Sequence, residues 1–187
     1  MTTGVAAYVD GGPVPLAEVD ERMALLRATA WGSRLPDAHS AEGRNARRWV
    51  VQLLCAERLV RAELIRRKIP LGARPSAVRI DRALAVGGVA AAVLAAVPEA
   101  RLLVDALGPA VDEAAVRGYY DRNPDLFADR GVPFETARPE IVRTLGGTAA
   151  DRAFSAWLEQ RMSTAVTLAP GFEHPADPSH ADATHRH

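Results

Sequence analysis

Cysteine is nearly missing from this chain. Only Cys55 occurs in 187 residues, which excludes an internal disulfide framework. It stands among Leu53, Leu54 and Leu59, where a free thiol reads as a small buried hydrophobe without redox work. Lysine is as scarce: of 23 basic residues only Lys68 is a lysine, a bias that fits a high-GC genome and carries no mechanism. Charge of one sign is absent too. Twenty-three basic residues balance 23 acidic ones, which argues against a general nucleic-acid or membrane-surface binder. No apolar run suits a bilayer, since Ala83–Val97 is too short and too interrupted by glycine. The start MTTGVAAYVDGG has neither the basic n-region nor the apolar core of a signal peptide, so the cytoplasm is the expected location. Nucleophile elbows, P-loops, dinucleotide fingerprints and zinc-type Cys/His spacings are all missing. No catalytic residue and no cofactor are therefore expected.

What is present is apolar patterning, with 48% hydrophobic residues, enough for the core of one domain of ordinary size. The organising stretch is VDEAAVRGYYDRNPDLFADRGVPFETARPEIVRTL, residues Val111–Leu145. Its first part reads as a helix with Asp112 as N-cap, Val116, Tyr119 and Tyr120 at helical spacing, and a stop at Asn123-Pro124. Its second part, Phe134–Leu145, puts Phe134, Ala137, Ile141 and Leu145 on one face. Pro139 interrupts it early, as a proline in the first helical turn would.

The order of these pieces resembles the SurA and PrsA group of folding factors. There a YYxxNxxxF segment leads into a parvulin prolyl-isomerase domain, and segments like FETARPEIVRTL and AFSAWLEQRM resume the chaperone lobe afterwards. Here only Ala128–Pro133 lies between the two, and a domain needs on the order of 100 residues. The resemblance, over roughly Val5–Leu168, thus implies a SurA N-terminal-like lobe without the isomerase. It also departs from the secreted members of that group in its N-terminus.

Read in order, the chain opens with a strand at Gly4–Asp10 and a turn at Asp10-Gly11-Gly12-Pro13. Val14-Pro15 leads into a helix, Leu16–Ala28, with Leu16, Val19, Met23 and Leu26 as its stripe. A loop, Ala30–Ala41, carries Pro36 and an exposed His39. The longest helix is expected at Asn45–Ile69, stopped by Pro70. Its apolar arc around Trp49, Leu53, Ala56, Val60 and Leu64 is wide, which means packing on more than one side. Arg47, Arg48, Arg58, Arg61, Arg66, Arg67 and Lys68 crowd the remainder. They form a solvated face, a contact for an acidic partner, or a complement to the acids of Asp105–Glu135. Helices are also expected at Ala77–Ala95, bent at Gly87-Gly88, and at Pro98–Leu107, with Pro98 in the first position. Gly146-Gly147 reads as a helix–helix turn. Thr148 and Asp151 then open a new helix in a capping-box-like arrangement, with Phe154, Trp157, Leu158 and Met162 on its face.

The resemblance implies that the end of the fold returns to its beginning, so Thr164–Leu168 is expected to pair with Ala6–Asp10. The fold class is therefore mostly α, with a small two-stranded sheet joining the ends. The domain spans residues 1–170, and 171–187 form a flexible His-rich tail. His174, His180, His185 and His187, near Asp177 and Asp182, could ligate Zn, Ni or Cu, but their spacing matches no closed site and an idle tail is the simpler reading.

The function implied is reversible capture of extended apolar polypeptide in a cleft between the long helix and Val111–Leu145, without isomerase activity. Trp49, Leu53, Tyr119, Tyr120 and Phe134 are the peptide-binding candidates, although packing alone would also explain the tyrosines. The alternative is an accessory or scaffold protein dedicated to one partner, such as a biosynthetic enzyme. An enzyme is the remaining class, and would need a deep pocket with convergent titratable groups.

Overall fold

Asp10 and Gly11 have φ of 48° and 80°, the pair of positive values that a two-residue type I′ hairpin turn requires. They join β1 (Val5–Val9) to β2 (Gly12–Pro15) as antiparallel strands, with Val9 opposite Gly12 and Tyr8 opposite Pro13. The computed structural model describes residues 4–30, 32–71 and 88–173. β2 occupies residues expected as the end of a turn and the lead-in to the first helix, and its two prolines are unusual in a strand. They are tolerated here since the order is β2-β1-β3, which leaves β2 at an edge where a missing N–H costs no ladder bond. β3 is Val166–Leu168, and it pairs with β1 through Ala7–Leu168, Tyr8–Thr167 and Val9–Val166. The return of the chain end to its start is thus present, in a sheet of three strands rather than two. Thr164 and Ala165 belong to the preceding helix instead. The Asp10 N–H donates to the Ala165 carbonyl at 2.9 Å, and Arg161 pairs with the Asp10 carboxylate at 2.8 Å.

Among the described residues six α-helices accompany the sheet. α1 is Leu16–Arg27, with Val19, Met23 and Leu26 buried. α2 is Ala41–Arg66, starting four residues before the expected point because Ser40 caps it, its hydroxyl accepting from the Gly43 N–H at 3.0 Å. α3 (Val89–Ala96) begins after Gly88, whose φ is 76°, and buries Ala92, Val93 and Ala96. The rest of the helix expected from Ala77 falls largely outside the described residues. α4 (Ala100–Leu107) starts two residues after Pro98, so that proline lies in the turn before it. α5 is Glu113–Arg122 and α6 is Phe134–Ala165.

α6 corrects several expectations together. It is 32 residues long against 26 for α2, and it runs unbroken through Gly146-Gly147. A Cβ on Gly146 would stand 3.2 Å from Val111 Cγ2, so this glycine permits a close approach and does not make a turn. Thr148 starts no helix; its hydroxyl bonds back to the Thr144 carbonyl at 3.1 Å. Pro139 lies beyond the first turn, which is opened by the Pro133 carbonyl accepting from Thr136 and Ala137. Asp112 does occupy the N-cap position of α5, but its side chain accepts no capping bond.

The chain divides into two units, one formed by the residues up to Arg101 with those from Leu158 onward, the other by Leu102–Trp157. The first is organised around α2, where every residue from Val50 to Glu57 is buried, as its wide apolar arc requires. α1, α3, β1 and β2 all pack against it. Cys55 is fully enclosed there, and burial pushes its thiol up to about 11. Glu57 is buried as well, and Arg22 of α1 meets it with two hydrogen bonds of 2.7 and 3.1 Å. No helix among the described residues is long and apolar enough to cross a membrane.

Candidate functional site

In the second unit, the stop of α5 is built by side chains. The Asn123 amide donates to the Tyr119 carbonyl at 2.6 Å, and the backbone from Pro124 folds into a short 3₁₀ turn, Ala128–Arg130. Gly131 follows with a φ of 70°, a conformation glycine adopts without steric cost. The Val132 N–H then donates to the Phe127 carbonyl at 2.9 Å. Tyr120 fastens this loop to α5, its hydroxyl donating to the Val132 carbonyl at 2.7 Å.

Three aromatic contacts fill the interior of the turn. Phe127 stacks on Tyr120 at 5.5 Å and meets Tyr119 at 6.3 Å, while Phe134 stands edge-on to Tyr120 at 5.5 Å. Such pairs contribute about 0.5–1.5 kcal/mol each beyond area burial. The Arg117 guanidinium lies 3.9 Å over the Phe134 ring. Val116, Phe127, Ala137 and Ile141 are the buried centre of this cluster. Across it, Arg138 of α6 pairs with Glu113 of α5 at 2.7 Å, and that guanidinium holds the Glu113 carboxyl below its ordinary range.

Beside the cluster opens a pocket of about 260 Å³. Tyr119, Phe127, Val132 and Ile141 give it apolar walls, and Leu126, 40% exposed, stands at its edge. Its polar lining is Arg130, Glu140 and Thr144. The Thr144 hydroxyl is committed to the Glu140 carbonyl at 3.0 Å. The Arg130 guanidinium and the Glu140 carboxylate are both exposed, and neither has an ion-pair or hydrogen-bond partner among the described residues. The pocket can therefore take an apolar group and offer a charge of each sign beside it.

The five sequence candidates are divided between the two units. Tyr119 lines the pocket. Tyr120 and Phe134 stand behind it and hold Phe127 and Val132 in place. Trp49 and Leu53 belong to the other unit, where Trp49 is half-buried and Leu53 is fully buried on α2, so Leu53 offers no surface to a client. Leu126, Arg130, Glu140 and Thr144 were missed because nothing in a sequence marks loop and helix residues that meet across a turn. The YYxxNxxxF spacing was the available signal, and it does position Tyr119 and Phe127.

The basic residues of α2 do not form an open patch. Arg47 pairs with Asp20 at 2.5 Å and Arg58 with Glu18 at 2.6 Å, while Arg66 and Arg67 share Glu63. Those two guanidinium groups hold the Glu63 carboxyl down at about 2, with Arg66 the larger influence. The acids that meet these four arginines come from α1 and from α2 itself. Among the described residues no three His, Cys, Asp or Glu side chains gather in a way that could hold a metal. His174, His180, His185 and His187 lie outside the described residues.

No curated protein and no solved structure matches the chain. Residues 5–42, which cover β1, β2, α1 and the entry to α2, match a model described as a family of unknown function (DUF7158).

Proposed function

We propose that this chain binds extended apolar polypeptide segments as a holdase, in the cytoplasm and without prolyl isomerase activity. The observation that carries the reading is the aromatic-walled pocket at the end of α5, with an exposed leucine at its edge. A segment seated there would bury apolar surface worth about 25 cal/mol per Å² before ordering costs. The affinity would be modest, and many unrelated unfolded chains would offer a suitable segment. A SurA-like lobe is the architecture that suits this reading. It is supported by the hairpin that opens the chain, by the strand that returns to it, and by the YYxxNxxxF segment forming the pocket wall. The absence of space for a parvulin domain between Phe127 and Phe134 supports the exclusion of isomerase activity.

The test is suppression of aggregation of several denatured proteins at near-stoichiometric ratios. Protection is expected without ATP, is expected to persist in added salt because apolar contact is not screened, and should be lost in Leu126→Asp. A proline-containing test peptide should isomerise at the uncatalysed rate, on the order of tens to hundreds of seconds. Failure to protect any client, together with one salt-sensitive partner recovered from the native host, would favour the accessory-protein alternative. The ion pairs on α2 weigh against its basic face as that contact.

A further inference from the structure

The pocket carries more information than apolar capture needs. Arg130 and Glu140 both line it, both are exposed, and neither is paired. Elsewhere on the molecule, guanidinium groups such as Arg22, Arg47, Arg58, Arg66 and Arg138 meet a carboxylate of the chain itself. At the pocket, opposite charges line the same space without meeting. The volume of about 260 Å³ lies below the roughly 300–1,000 Å³ of sites for drug-sized ligands, so it suits one side chain and not an array of them.

We propose that the pocket takes a single apolar side chain of an extended segment and reads the charges of the neighbouring residues, an acidic group meeting Arg130 and a basic group meeting Glu140. This rests on the reading of the pocket as a polypeptide site and adds a sequence preference to it. The guanidinium fork matches a carboxylate in two hydrogen bonds, whereas Glu140 accepts from an ammonium or a guanidinium. The two charges differ in sign and in place, so they also set the direction in which a segment lies. An acid–apolar–base order and its reverse are then not equivalent. Uncharged neighbours leave both groups solvated, and neighbours of one sign satisfy one group while being repelled by the other.

The experiment measures fluorescence anisotropy of three capped, labelled nonapeptides with a central phenylalanine. One is flanked by Asp before and Lys after, one by Lys before and Asp after, and one by Ser on both sides. At low salt one charged order should bind about fivefold more tightly than the other two peptides, the scale set by two exposed ion pairs. That margin should shrink in 0.5 M NaCl, roughly, where screening is short-ranged. Arg130→Glu with Glu140→Arg in one chain exchanges the two charges at exposed positions, and it should reverse the preferred order. Equal binding of all three peptides, abolished by Leu126→Asp, would overturn the charge reading and leave the apolar site standing. A preference that the charge exchange does not reverse would also overturn it. Absence of binding by every peptide would overturn the inference and the polypeptide site together.

Discussion

Arg22 and Glu57 carry the most consequential polar contact of the first unit, and no periodicity points to either. Their side chains are 13% and 7% exposed, so both charges have left bulk water. A buried carboxylate is tolerable only with its partner and its hydrogen bonds in place. Arg22→Met is therefore expected to cost about 3 kcal/mol in urea unfolding, within the range for breaking a buried pair. Adding Glu57→Leu should recover most of that loss, since the orphaned charge disappears with it. A single replacement costing less than about 1 kcal/mol would mean that water reaches the carboxylate. Cys55, two residues before the end of the same buried run, behaves as its leucine neighbours suggested: enclosed, and with its thiol pushed towards the neutral form.

At the scale of elements, α6 holds the clearest test. The paired glycines read as a break because glycine is the poorest helix former after proline. The helix continues through them, and the two glycines have different surroundings. Gly147 has nothing within 4 Å of a Cβ, whereas at Gly146 the Cβ meets Val111 at 3.2 Å. Gly147→Ala should therefore stabilise the chain by about 0.5–1 kcal/mol, the propensity difference in a helix interior. Gly146→Ala should gain less or lose. Thermal unfolding of both variants checks this. Destabilisation by Gly147→Ala would indicate a turn with positive φ there, as the sequence alone suggests. The stripe of Phe134, Ala137, Ile141 and Leu145 needed no such correction: Ala137 and Ile141 are buried, and the other two pack against them. Helical spacing alone was enough for that face.

For the whole molecule, the decisive contact is β3 on β1. It joins residues near the two ends of the described chain and completes the first unit, which the chain leaves after Arg101 and re-enters at Leu158. The same return supplies the Gly171 carbonyl, which accepts from Nε of the buried Arg48 at 3.1 Å, and the Ala169 N–H, which donates to the Ala6 carbonyl at 2.9 Å. A chain ending at Ala165 loses all of these and leaves polar groups of β1 and Arg48 without their acceptors or donors, at about 1–3 kcal/mol for each buried one. Its midpoint should fall by at least about 5 °C relative to a chain ending at Glu173, given roughly 2–4 °C per kcal/mol at this size. Equal midpoints would show that the strand pairing contributes little to the first unit.

Local chemistry in the sequence was sufficient for the Asp10-Gly11 turn, the buried stripe of α1, the wide buried arc of α2, the stop at Asn123-Pro124 and the apolar face that starts α6. Each rests on neighbours within a turn or two of helix, or on one dipeptide, and such interactions are written in adjacent residues. The edge strand with two prolines, the unbroken passage of α6 through two glycines, the pairing of α2 arginines with α1 acids and the placing of Arg130 and Glu140 along one pocket were decided only by tertiary structure. In each of these, a residue's local preference was overridden or given its meaning by a partner distant in sequence: an edge position that spares an N–H, a valine that needs a glycine opposite it, a carboxylate one helix away, or a loop folded back by the Tyr120 hydroxyl.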